Sequence, residues 1–210
     1  MTMQTDHWKS SSVNEIQILF QGAHIQWWIA GGWALDLYLG CQTREHSDID
    51  VVILRDDHLT LHDYLRRDWE LFKAHKGELI PWKHGESLPE KFDNIWVKKS
   101  GELFWSFQVM ILDTEDHQWI YKRHRQIRRS LQDIGLESAD GVPYLKPDIQ
   151  LLYKGGSSVI REKDLIDFER VCSLMDVESC KWLKNALLVQ FPEGHQWVDR
   201  LDERMRKGST

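Results

Sequence analysis

The sequence predicts an α+β fold, a mixed β-sheet with flanking helices followed by a C-terminal helical bundle, and three observations carry that expectation. From Gln26 to about Tyr144 apolar residues fall in short runs separated by turn residues, the pattern of strands. After Pro147 they recur every three or four residues, the pattern of helices. With 210 residues, 41% of them hydrophobic and 29% charged, the chain has enough apolar surface for one or two compact cores. The seam falls near Gly141–Pro147, which predicts an α+β domain over 1–143 and a helical domain over 144–210.

Taken in order, Val13 to Gln21 reads as a first amphipathic helix, and Gln26 to Ala30 as a strand. Trp33 to Leu39 is a helix and Ile49 to Leu54 an apolar strand. His58 to Arg67 has helical spacing again. Asn94 to Val97, Leu103 to Leu112 and Trp119 to Tyr121 are the later strands. Asp148 to Ile160, Glu162 to Met175, Ser179 to Phe191 and Gln196 to Arg206 are four helices, with breaks at Gly155–Gly156, Asp176 and Pro192.

Composition excludes several classes of function. No apolar run approaches the roughly 18 residues of a membrane span, and Met1 to Ser12 is polar, so a cytoplasmic protein is expected. A net charge of −6 disfavours a nucleic-acid partner, since phosphate neutralisation dominates that affinity. The three cysteines, Cys41, Cys172 and Cys180, show no CxxC spacing, and the ten histidines no HxH or HExxH, so a zinc site is not expected. Eleven tryptophans suit either core packing or the walls of a pocket. The oligomeric state is not written in the sequence.

The chemistry concentrates in Trp28 to Leu54, WIAGGWALDLYLGCQTREHSDIDVVIL. A strand ending at Ala30 runs through Gly31 and Gly32 into a helix. Glycines there let a ligand approach the backbone, and the free N–H groups of the helix start favour phosphate; the same pair also suits an ordinary turn. Asp48 and Asp50 flank Ile49, so both carboxylates leave one face of the strand about 7 Å apart. Such oxygen donors suit Mg²⁺, although a pair of solvated carboxylates at a strand end has the same pattern. Arg44 and His46, between the two elements, offer a guanidinium fork and an imidazole N–H to phosphate oxygens, or form a surface loop with Glu45.

The run GGW-x2-D-x3-G-x2-TREH-x-DID, from Gly31 to Asp50, resembles the signature of the nucleotidyltransferase superfamily, most closely the branch of the aminoglycoside 2″-adenylyltransferases and lincosamide nucleotidyltransferases. Tyr144 to Lys154, followed by Arg161 to Asp164 and Asp167-Phe168, resembles that family's helical half. The resemblance implies a nucleotidyltransferase-like sheet and a Mg²⁺-dependent enzyme. It would move a nucleoside monophosphate, AMP from ATP or a similar nucleotide, to a hydroxyl of a small molecule such as an antibiotic, releasing pyrophosphate. Gly31, Gly32, Arg44 and His46 would then contact the triphosphate, and Asp48 with Asp50 would hold one or two metal ions.

One departure stands out. The superfamily usually carries a third carboxylate on a later strand, completing the metal site and acting as general base. The aligned position holds Gln108, an amide that cannot take a proton. Asp113 or Glu102 would have to substitute, with Asp113 the named candidate; otherwise the site works with two carboxylates, or the chain is a catalytically impaired nucleotide-binding or interaction module. In the helical half Lys154 is the candidate phosphate contact, ahead of Lys163 and Arg161, while Asp164 and Asp167 read as residues favouring a helix dipole. His195 suits packing or capping. Glu86, Glu90 and Asp93, with Trp82, Trp96 and Trp105, suit either a pocket for a cationic sugar or an ordinary charged surface. Phosphatases of the haloacid dehalogenase type and many glycosyltransferases place an apolar strand before their DxD; here Thr43 to Ser47 are polar and the apolar run follows, which argues against both.

Overall fold

A computed structural model describes residues 7–208; half of the polar N-terminal stretch read above, residues 1–6, lies outside the described residues. The chain forms two compact units, one of Met1–Trp33 with Arg44–Thr114, the other of Ala34–Thr43 with Glu115–Thr210. The first holds α1 (Val13–Phe20), β1 (Trp27–Ala30), the start of α2 (Gly31–Leu39), β2 (Asp50–Leu54), α3 (His58–Leu65), β3 (Trp69–His75), β4 (Glu78–Pro81), β5 (Asn94–Lys99) and β6 (Phe107–Glu115). Helix α1 starts where Ser12 and Glu15 form a reciprocal capping box, with the Ser12 backbone N–H donating to Glu15 Oε2 at 2.8 Å.

The strands of this unit run in the order β4-β3-β5-β6-β2-β1. Strand β2 pairs in parallel with β6 and antiparallel with β1, so the sheet is mixed, as the sequence predicts. Val51 to Leu54 are all buried, as befits a central strand covered on both faces. Aromatic rings fill the core: Phe20 meets Phe107, and Trp105 packs edge-on to both Phe72 and Trp96 with centroids 5.4 and 5.2 Å apart. Trp105 therefore belongs to the core.

The second unit contains the antiparallel pairs β7 (Gln118–Ile120) with β8 (Arg128–Ser130) and β9 (Gly135–Glu137) with β10 (Pro143–Leu145). It continues with α4 (Pro147–Gly155), α5 (Glu162–Cys172), α6 (Val177–Gln190) and α7 (Val198–Lys207). Among the described residues no helix is long and apolar enough to cross a membrane. The expected boundary at 143/144 is not where the chain divides. Arg129, on β8, holds the fully buried Asp148 of α4 at 2.7 Å, and Trp119 donates to the Tyr153 hydroxyl at 3.3 Å, so these strands form one body with the helices.

Strands β3, β4, β8, β9 and β10 lie outside the expected set. Several are short or carry charge: Lys73, inside β3, is buried and ion-paired with Glu86. A partner thirteen residues away hides a strand from hydrophobic patterning.

Candidate functional site

Strand β1 ends with Ala30 paired to Asp50 across the ladder, which sets the next residue beside that carboxylate. Gly31 adopts φ +67°, a conformation L side chains rarely take, and a Cβ on it would run into Asp50 Oδ2. Helix α2 begins at Gly31, two residues before the expected start. A Cβ on Gly32 would strike the His46 ring and come within 2.6 Å of Arg44 Nη2. Both glycines are thus held by space, and His46 is steadied by the Trp33 ring, 4.6 Å away between centroids.

Across this cradle, Ile49 is completely buried while Asp48 and Asp50 are half-buried, the alternation expected of two carboxylates on one face. The parallel register sets Asp50 opposite Gln108. Gln108 Nε2 donates to Asp48 Oδ2 at 3.3 Å, and Asn94 Nδ2 donates to Gln108 Oε1 at 3.0 Å. The amide therefore lies against Asp48, with Asp50 as its ladder neighbour. The orientation of both amides follows from charge. Asp48 only accepts, so it faces the NH₂ end of Gln108, whose oxygen in turn requires the NH₂ end of Asn94.

Gly31, Gly32, Arg44, His46, Asp48, Asp50 and Gln108 are brought together. Asp113 is not. It sits five residues beyond Gln108 along β6, about 16 Å at strand rise, and its carboxylate is ion-paired with Arg55. Glu102 is exposed in the turn before β6. In the second unit Lys154 is buried between Asp164 at 3.1 Å and Asp167 at 2.9 Å. Burial pushes the Asp164 carboxyl up, but Arg161 and Lys154 outweigh it and hold it at about 2. Asp164 and Asp167 are thus partners of a buried cation, not dipole residues, and the Lys154 charge is already neutralised where phosphate contact was expected.

A further acid of the motif, Asp36, is buried and accepts from Thr43 Oγ1 at 2.6 Å, and Arg170 Nη1 donates to the Thr43 carbonyl at 2.8 Å. These bonds fasten the loop that leads to Arg44. Asn94 was not legible from the sequence; a strand-initial asparagine carries no signal until its partner is known.

The donor set fits Mg²⁺ that arrives with a nucleotide. This ion keeps several waters and is bound through one or two carboxylates plus substrate phosphates, and two carboxylates with a glycine cradle supply that half of the shell. Among the described residues no three His, Cys, Asp or Glu side chains converge into a self-sufficient metal cage.

Residues 12–70, which contain this cradle, match the family model of the aminoglycoside-2″-adenylyltransferases. The lincomycin-bound crystal structure of the lincosamide antibiotic adenylyltransferase LnuA superposes with a TM-score of 0.55 at 19% identity, over 80% of this chain and 99% of that one. The solution structure of the antibiotic-resistance factor ANT(2″)-Ia gives 0.53 at 17%, over 86% and 91%. No curated protein sequence matches the chain significantly. The fold is that of a nucleotidyltransferase.

Proposed function

We propose that this protein transfers a nucleoside monophosphate, AMP from ATP, to a hydroxyl of a small aminoglycoside- or lincosamide-like acceptor, with release of pyrophosphate. The observation that carries this reading is Asp50, at the head of β2 and packed on Gly31, with Asp48 two residues earlier in the segment entering that strand and with Arg44 and His46 closing over Gly32. The opening turn of α2 offers backbone N–H groups to phosphate oxygens, and Arg44 adds a fork of charged donors. Asp48 and Asp50 would hold Mg²⁺, which when bound would supply charge neutralisation at the α-phosphate. The chain's own part is positioning, worth several kcal/mol when reacting atoms are held in line.

Gln108 changes what the site offers. Its amide takes no proton and Asp113 is committed to Arg55, so the acceptor hydroxyl has no carboxylate base in the third position. A general base contributes about 10²–10⁴ in rate, and turnover slower by that order is expected. The same observation favours a second reading, a nucleotide-binding module without turnover.

One experiment separates the two. The protein is incubated with Mg²⁺, each labelled nucleoside triphosphate and a panel of aminoglycosides and lincosamides, and pyrophosphate and labelled product are followed. Asp48→Asn should abolish any release. Equal traces from wild type and Asp48→Asn would refute transfer, and calorimetric binding of ATP with Mg²⁺ to wild type would then leave the binding module standing.

A further inference from the structure

The turn that joins α5 to α6 is bracketed by two of the chain's three cysteines. Cys172 is the last residue of α5 and Cys180 lies in the first turn of α6, eight positions on. Both are free thiols and both are buried, whereas Cys41 is exposed. A buried free cysteine ordinarily serves as a small apolar residue. This pair does more than fill space.

The two thiols are hydrogen-bonded to each other, so their sulfurs are neighbours across the turn. That bond also makes them chemically unequal. It holds the Cys172 thiol below its ordinary value, with Arg200 and Arg204 helping and burial and Glu169 opposing, whereas the same contact and burial push Cys180 up. Of the two, Cys172 gives up its proton the more readily. Cys172 also lines a cleft of about 140 Å³ with Ser173, Arg200, Arg204 and Lys207. The guanidinium groups that wall the cleft are the ones that act on the Cys172 charge, which places the sulfur toward that side. A space of this size takes a few molecules as small as water.

The same turn fastens other parts of the second unit. Arg170 Nη1 donates to the Thr43 carbonyl at 2.8 Å, and the Tyr38 hydroxyl of α2 donates to the Leu174 carbonyl at 3.1 Å, so Cys172 stands between the two anchors.

We propose that Cys172 and Cys180 form a peroxide-reactive pair that closes into a disulfide between α5 and α6. The oxidant is hydrogen peroxide, which is small enough for the cleft. The Cys172 thiolate attacks one peroxide oxygen, the O–O bond breaks, and the departing hydroxide takes up a proton and leaves as water. Cys172 is then a sulfenic acid. The Cys180 sulfur attacks the Cys172 sulfur, the S–O bond breaks, and the hydroxyl leaves with the Cys180 proton as a second water. Two thiols are oxidised and one peroxide is reduced. The reaction uses no group of the nucleotide cradle and stands or falls independently of the transfer reading.

The test treats the whole reduced chain with hydrogen peroxide for increasing times. Catalase stops the reaction, and the protein is denatured, alkylated with iodoacetamide and cleaved after lysine and arginine. Residues 171–181 emerge as one peptide that contains both cysteines. The expected product is that peptide lighter by two hydrogens and unalkylated, with dithiothreitol restoring both alkylation sites. Oxidation of Met175 in the same peptide is told apart, because it adds an oxygen and leaves both cysteines alkylated. The pair should be consumed at least about tenfold faster than the exposed Cys41, since reactivity follows thiolate character. Cys180→Ala should stop at a Cys172 sulfenic acid that dimedone traps, and Cys172→Ala should leave Cys180 open to alkylation. A fully alkylated 171–181 peptide at a time when Cys41 is already oxidised would overturn the proposal, as would a Cys172 bond to Cys41 in place of Cys180. Undiminished oxidation of Cys180 in Cys172→Ala would overturn the order of attack. The wild-type peptide mass decides the matter even if a variant fails to fold.

Discussion

Replacing Gly32 by alanine separates stability from function in this protein. Gly32 lies in the first turn of α2 without the left-handed φ of Gly31, so an alanine there meets no backbone strain, and its helix propensity adds at most about 1 kcal/mol. The added Cβ collides with the His46 ring and the Arg44 guanidinium, both at the ends of side chains that can swing aside. The fold therefore absorbs the substitution by ejecting the Arg44 and His46 side chains from the cradle. Thermal melting should move by only a few degrees in either direction. Loss of preorganised donors to a phosphate typically lowers turnover about 10²–10³-fold, and nucleotide affinity should fall with it. Melting curves, calorimetric binding of ATP with Mg²⁺ and pyrophosphate release together give the answer. If Gly32→Ala binds nucleotide and turns over within about twofold of wild type, the cradle is not where the phosphates sit, and the argument from Gly31 to Asp50 fails.

Gln108→Glu would place a third carboxylate about 3.3 Å from Asp48. At that range like charges repel by up to about 5 kcal/mol at an effective dielectric of 20, so the variant should melt lower without metal and be rescued by Mg²⁺ more than wild type in a thermal-shift series. Lys154→Met removes the buried cation between Asp164 and Asp167 and leaves Arg161 on Asp164, and chemical denaturation should record a loss of about 3–5 kcal/mol. A phosphate contact alone would lower nucleotide affinity and spare stability. Asp164 titrates at about 2 in the folded chain against about 3.9 unfolded, so its charge contributes stability of order 2 kcal/mol above the unfolded value, lost as pH falls through the folded one. The stability difference between wild type and Asp164→Asn should accordingly be largest near neutral pH and shrink between about pH 4 and pH 2 in urea titrations.

Much of the cradle was legible because its geometry is local. Gly31, Gly32, Arg44, His46, Asp48 and Asp50 lie within twenty consecutive residues, and the two-residue period of a strand is enough to put both carboxylates on one side of Ile49. The helices of the second half were legible for the same reason: apolar spacing is a property of the segment. What escaped depends on partners distant in sequence. Asp113 is ion-paired with Arg55, and Lys154 lies between Asp164 and Asp167, and neither pairing is written in the local pattern.

By itself, then, the chain order of Trp28 to Leu54 determined a strand, a glycine-opened helix and a paired-carboxylate strand, because each is dictated by short-range sterics and side-chain period. Only the tertiary structure decided that Gln108 sits against Asp48 and that Asn94 holds it there. Those facts arise from the register of β2, β5 and β6. Register between strands forty to sixty residues apart is selected by burial of the whole sheet, not by any one segment.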